Sequence, residues 1–173
     1  MFLVAPALSL TYSERILLRD LAWQTVVDFG SGCAIINIGV ALGGSCVCLR
    51  AGAPKAHLIG IDVDADSLRG DWTFIHGDSR RVYKQFVSPI HLLFVDGDHD
   101  YYGVRDDILN WCTLLPVGGR VAFHDYGNGE KAPHTAGVKR AVDELLINAG
   151  GWETISSADS ILAFRKTEGL NHG

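Results

Sequence analysis

The chain has 173 residues, 47% of them hydrophobic and 20% charged, with twenty glycines against five prolines. That is enough for one domain spanning residues 1–173 with its own core, without help from disulfides or a structural metal. Fifteen basic against twenty acidic residues give a formal net charge of −5, and without a basic block neither nucleic acid nor an anionic membrane surface is an expected partner.

The chain opens Met1-Phe-Leu-Val-Ala-Pro6, which has neither the basic flank nor the apolar length of a secretory leader, so a cytoplasmic location is expected. Thr11-Tyr-Ser-Glu14 has capping-box spacing ahead of Ile16-Leu17-Leu18 and Leu21, and predicts an N-terminal helix. The stretch Phe29–Leu49 carries no charge over 21 residues. Its Gly30, Gly32, Gly39, Gly43 and Gly44 suit a strand, a glycine-rich turn and a helix better than a lipid span. Cys46 and Cys48 lie on that helix and diverge by about 200°, too far to share a metal. With Cys33 and Cys112 they read as reduced core thiols.

Apolar runs at 34–38, 58–61, 73–75, 91–95 and 121–123 read as buried strands alternating with helices. Two helical stripes stand out, Val104/Ile108/Trp111/Cys112/Leu115 and Val138/Val142/Leu145/Leu146/Ala149. Trp152–Ile155 and Ile161–Phe164 flank Ser156–Ser160 as a hairpin. The pattern predicts an α/β fold: a Rossmann-like, doubly wound, mostly parallel seven-stranded sheet with a C-terminal antiparallel hairpin. Ligands of such sheets bind beyond the carboxyl ends of the strands.

The strand ends carry the chemistry. The first reads Asn37-Ile-Gly39-Val-Ala-Leu-Gly43-Gly44-Ser45, neither Gly-x-Gly-x-x-Gly nor a phosphate loop, yet suited to close approach of a ligand to backbone. Asp62 ends the second, 23 residues after Gly39, where a carboxylate can accept from both ribose hydroxyls of a nucleoside or, alternatively, cap a following helix. Asp78 and Ser79 end the third, and fit either an adenine contact or a helix cap. The fourth end, Asp96-Gly-Asp98-His99-Asp100-Tyr101, is the densest. Its sixth position is Tyr101 where a calcium loop needs glycine. The fifth ends in His124-Asp125. Adjacent parallel strands lie about 5 Å apart, so Asp96 and Asp125 can share a divalent cation or, alternatively, form an acidic rim satisfied by water and helix N-termini, and His99 can act as general base or serve a structural role. His57, His76, His91, His134 and His172 have no such context. Gly127 and Gly129 follow the fifth end.

Together, Asn37–Ser45, Asp62, Gly77-Asp78, Asp96-Gly-Asp-His-Asp-Tyr-Tyr-Gly-Val104, Gly118-Gly119 and His124-Asp125-Tyr126 resemble a class I S-adenosylmethionine-dependent methyltransferase. The likeness is closest to the small-molecule O-methyltransferase branch that includes macrocin O-methyltransferase and cephalosporin-hydroxylase-type proteins. The resemblance implies that Asn37, Gly39, Gly43, Gly44 and Ser45 hold the methionine part of the cofactor, Asp62 the ribose and Asp78-Ser79 the adenine. Asp96 is expected to serve both cofactor binding and catalysis. It implies cation ligands at Asp96, His124 and Asp125 for Mg2+ or another divalent metal, and a base at His99. Two positions depart from the family pattern: Asn37 stands where an acid is usual, and His124 replaces an acid of metal-dependent relatives.

The expected activity is methyl transfer from S-adenosylmethionine to a hydroxyl of a sugar or natural product. The competing readings are an NAD-dependent oxidoreductase on a Rossmann-type sheet and a non-catalytic cofactor-binding protein. Acceptor contacts are expected from the N-terminal helix, the 126–136 loop or a second subunit of a homo-oligomer.

Overall fold

The computed structural model describes residues 10–128 and 132–168. The Met1–Pro6 segment, Gly129, His172 and part of the 126–136 loop lie outside them. Among the described residues five α-helices, α1 (Tyr12–Phe29), α2 (Gly44–Gly52), α3 (Ser79–Val82), α4 (Tyr101–Trp111) and α5 (Ala136–Val142), flank seven strands. These are β1 (Ala34–Ile38), β2 (His57–Asp62), β3 (Thr73–His76), β4 (Leu92–Val95), β5 (Arg120–Phe123), β6 (Trp152–Ala158) and β7 (Ile161–Lys166). They form one sheet in the order β3-β2-β1-β4-β5-β7-β6. The first five strands are parallel, and β7 runs antiparallel between β5 and β6. This is the expected Rossmann-like, mostly parallel sheet with its C-terminal hairpin.

The parallel strands are apolar on both faces because each face packs on helices. Ile36 and Ile38 of β1 join Leu93, Val95, Val104, Ile108, Trp111 and Val142 in one core. Ile35 of the same strand joins Leu17, Leu18, Leu21, Leu49 and Phe94 in the other. Full burial of such side chains contributes about 1.5–3 kcal/mol each, and a one-residue register slip would exchange every one of them between faces. On the second face α1 and α2 approach so closely that a Cβ on Gly52 would sit 2.0 Å from the carbonyl oxygen of Arg19. The four cysteines are free. Among the described residues no helix is long and apolar enough to cross a membrane.

Three local expectations are corrected. No helix follows Asp62: residues 63–72 cross to β3 as turns, with Trp72 packed against Gly43, Gly60 and Gly70 in place of a helix. The hairpin loop is shorter than 156–160, because Ser156–Ala158 pair with β7 across a register shift between Thr154 and Ser156. Ala149 is exposed. After α5 the chain widens into a π-helical turn over Asp143–Ile147, closed by Asn148 N–H on the Asp143 carbonyl. The wider turn takes Ala149 off the apolar stripe.

Candidate active site

Parallel pairing continues one residue past several strands, and this aligns the loops that follow. Gly39 N–H donates to the Ile61 carbonyl, Asp96 N–H to Ile38, His124 N–H to Val95 and Gly77 N–H to Asp62. The ends of five strands therefore stand side by side along one edge of the sheet. Gly39, with φ +83°, lies so close to the β4 end that a Cβ there would come 2.0 Å from the Asp96 carbonyl oxygen.

A cavity of about 650 Å³ opens along this edge. Its walls include Gly39, Asp62, Asp78, Ser79, Asp96, His99, His124 and Asp125. Asn37, Gly43, Gly44 and Ser45 are not in its lining. Asn37 is fully buried and turned toward α2, its Nδ2 donating to the Gly39 carbonyl at 2.9 Å and to Cys46 Sγ at 3.4 Å. Gly43 takes a left-handed conformation before α2 and abuts Trp72.

At one end of the cavity Asp62 Oδ2 accepts from Val40 and Ala41 N–H, and Oδ1 from Asp64 N–H. Burial works against the charge, but these backbone donors hold the carboxyl below its ordinary pKa. A carboxylate has about four acceptor positions, so about one is left for a ribose hydroxyl. Asp78 caps α3 through Arg80 N–H and pairs with the Arg80 guanidinium, while Ser79 Oγ donates to Asp107 Oδ1 at 2.6 Å. Asp100 caps α4 by accepting from Tyr102 and Gly103 N–H, and Asp98 closes the turn before it.

At the other end Asp96, His99, His124 and Asp125 converge, with Glu14 of α1 behind them. His124 Nδ1 lies 3.2 Å from Asp96 Oδ1 and 3.1 Å from Asp125 Oδ2. Its Nε2 lies 3.6 Å from Glu14 Oε2 of α1. His99 Nε2 meets Asp125 Oδ2 at 2.9 Å. Burial opposes a charge on His124, yet the three carboxylates raise its pKa to about 12. Asp125 is held well below the carboxylate range by His124 first and then His99, and burial raises Asp96. His99 is raised by the Asp125 carboxylate. Asp125 has φ +61°, a conformation unusual for a non-glycine residue and concentrated at functional sites.

Two carboxylates and an imidazole form a donor set that suits a divalent cation. One ligand atom each from Asp96, His124 and Asp125 lies within 4.8 Å of the others. Both ring nitrogens of His124 are buried, and neither has hydrogen-bond geometry to any partner among the described residues. Two lining or flanking carboxyls belong to no site motif, Asp107 and Glu14, the latter legible in the sequence as a capping-box residue alone. Each sits on an apolar helical stripe, Glu14 with Leu17, Leu18 and Leu21, and Asp107 with Val104, Ile108 and Trp111. An acid at such a position is the one signal in the sequence that marks them. His134 also comes near, its ring centroid 6.3 Å from that of His99.

Solved structures share this fold. The O-methyltransferase from Bacillus cereus in complex with SAH matches with a TM-score of 0.71 and 15% identity, over 94% of this chain and 84% of that one. CalS11, a TDP-rhamnose 3'-O-methyltransferase of calicheamicin biosynthesis, gives 0.66 and 17%, over 87% and 78%. MycE, a methyltransferase of mycinamycin biosynthesis in complex with Mg and SAH, gives 0.65 and 16%, over 87% of this chain but only 49% of that one. The chain thus spans about half the length of MycE. Every residue lining the cavity, from Ile38 to Asp125, falls within residues 36–126, the stretch that matches a family model described as a methyltransferase domain, and the chain belongs to that family.

Proposed function

We propose that the chain binds S-adenosylmethionine in this cavity and moves its methyl group to a hydroxyl oxygen of a small molecule, a sugar or natural product. The observation that carries this reading is one cavity with a backbone-anchored carboxylate, Asp62, at one end and the Asp96/His99/His124/Asp125 cluster at the other. Gly39 and Asp62 would hold the methionine and ribose portions, and Asp78 and Ser79 the adenine side. Asn37, Gly43, Gly44 and Ser45 would shape that loop from behind. The sulfonium supplies an already activated methyl carbon, so the protein's task is alignment of the acceptor oxygen with it.

Asp96, His124 and Asp125 would hold a divalent cation, which supplies Lewis acidity that lowers the pKa of an acceptor hydroxyl. His99 is the base. Its Nε2 is engaged by Asp125, so Nδ1 is the nitrogen left to take the hydroxyl proton, and Asp125 fixes the ring's orientation. The open acidic cluster and the missing dinucleotide glycine pattern disfavour a nicotinamide cofactor.

Calorimetry is expected to detect S-adenosylmethionine binding and no NADH binding, and the reverse result overturns the assignment. Asp96→Asn is expected to lower methyl transfer to a panel of hydroxyl acceptors by roughly 10²–10⁴-fold while largely sparing cofactor affinity. Full activity in that variant, or in wild type with excess chelator, eliminates the cation.

A further inference from the structure

We infer that Glu14, on the N-terminal helix, is a positioning residue for the cation ligands His124 and Asp125. The inference rests on the cation reading above. A capping-box glutamate ordinarily needs only to reach the N-cap N–H, which Glu14 does at 2.8 Å from Thr11 N. A residue with that task alone sits at the surface, whereas Glu14 is 2% exposed. Burying a carboxylate is costly unless it is fully partnered.

Its partners explain the burial. Oε1 accepts from Ser160 N–H at 3.0 Å and from Ser160 Oγ at 2.6 Å. Oε2 accepts from Thr11 N–H and faces His124 Nε2 at 3.6 Å. Ser160 Oγ also accepts from Asp125 N–H at 3.3 Å. One carboxylate thus reaches both neighbouring ligands, the His124 ring by an ion-pair contact and the left-handed Asp125 backbone through Ser160. With Nε2 turned to Glu14, Nδ1 is the nitrogen presented to Asp96 and Asp125. A carboxylate behind a ligating imidazole fixes its ring and raises its donor strength. Glu14 also ties the docking of α1 and the β6–β7 turn to the geometry of the cluster.

Glu14→Gln, which keeps the side-chain shape, is expected to weaken Mn2+ or Mg2+ binding roughly 10–100-fold in calorimetry, with S-adenosylhomocysteine affinity within about twofold of wild type. Thr11→Ala removes the helix cap without touching the carboxylate, and is expected to lower the melting temperature while leaving metal affinity unchanged. Equal metal affinity in Glu14→Gln and wild type overturns the inference, as does an equal loss in Thr11→Ala. A readout independent of metal is the His124 ring orientation in metal-free crystals, its signature being Nε2 turned to residue 14 in wild type and turned away in Glu14→Gln. A wild-type chain that binds neither ion overturns the cation reading. The ring signature then decides whether Glu14 orients His124, and its absence from wild type refutes that too.

Discussion

Asp107 is a carboxyl with almost no water around it, 2% exposed on α4 and lining the cavity, with a single side-chain donor from Ser79 Oγ. Burial pushes its pKa from 3.8 up to about 6. The folded state therefore holds this proton more tightly than the unfolded chain does. The resulting stability is fully present below pH 3.8 and is lost as pH rises through about 6. A shift of that size corresponds to about 3 kcal/mol. Asp107→Asn keeps an acceptor for Ser79 and removes the ionisation. Chemical denaturation at pH 5 and pH 8 is expected to show the variant gaining on wild type at the higher pH, and an equal difference at both pH values refutes it. Sequence shows only that residue 107 lies on the same helical face as Val104, Ile108 and Trp111. It takes the β3 loop, folded against α4, to supply Ser79 and exclude water.

At the scale of elements, the β1 and β4 loops are the tightest junction of the site. Gly39 and Gly30 have nearly the same φ, +83° and +85°, but different neighbours. A Cβ on Gly30 meets nothing within 4 Å, whereas on Gly39 it meets the Asp96 backbone. Gly30, with ψ 168°, holds an extended positive-φ conformation that suits glycine almost alone, and Gly30→Ala is expected to cost that strain only, about 1–3 kcal/mol. Gly39→Ala adds a backbone collision and is expected to cost more than that and to weaken S-adenosylhomocysteine binding severalfold, since the β1 loop that lines the cavity must shift. Melting temperature and calorimetry of the pair separate strain from collision, and equal effects of the two substitutions contradict the close approach. The strands were legible because runs such as Ala34–Ile38 are apolar on both faces. The helixless 63–72 crossover was not, since the residue that replaces the helix is Trp72, which packs over Gly43 and Gly60, both distant in sequence, as well as over nearby Gly70.

For the molecule as a whole, a ligand that binds only the folded state stabilises it by mass action. S-adenosylhomocysteine at about 100 times its dissociation constant should add about 2.7 kcal/mol, which for a chain of this size is a rise of about 5–10 °C in melting temperature. NADH should give none, and a rise with NADH alone contradicts the proposed cofactor. The sequence by itself determined the strand order along the chain, the hairpin and the placement of Asp62, Asp96 and His124 at strand ends, because periodicity and apolar runs are local properties. Tertiary structure decided which of those residues share a cavity. It turned Asn37 to the α2 side and left Gly43, Gly44 and Ser45 outside the lining. It also used Asp78 and Asp100 as caps and brought Glu14 from the first helix to His124. Those choices depend on which face of the sheet each side chain takes and on contacts between distant segments, and both are fixed only when the sheet and its two helical layers close together.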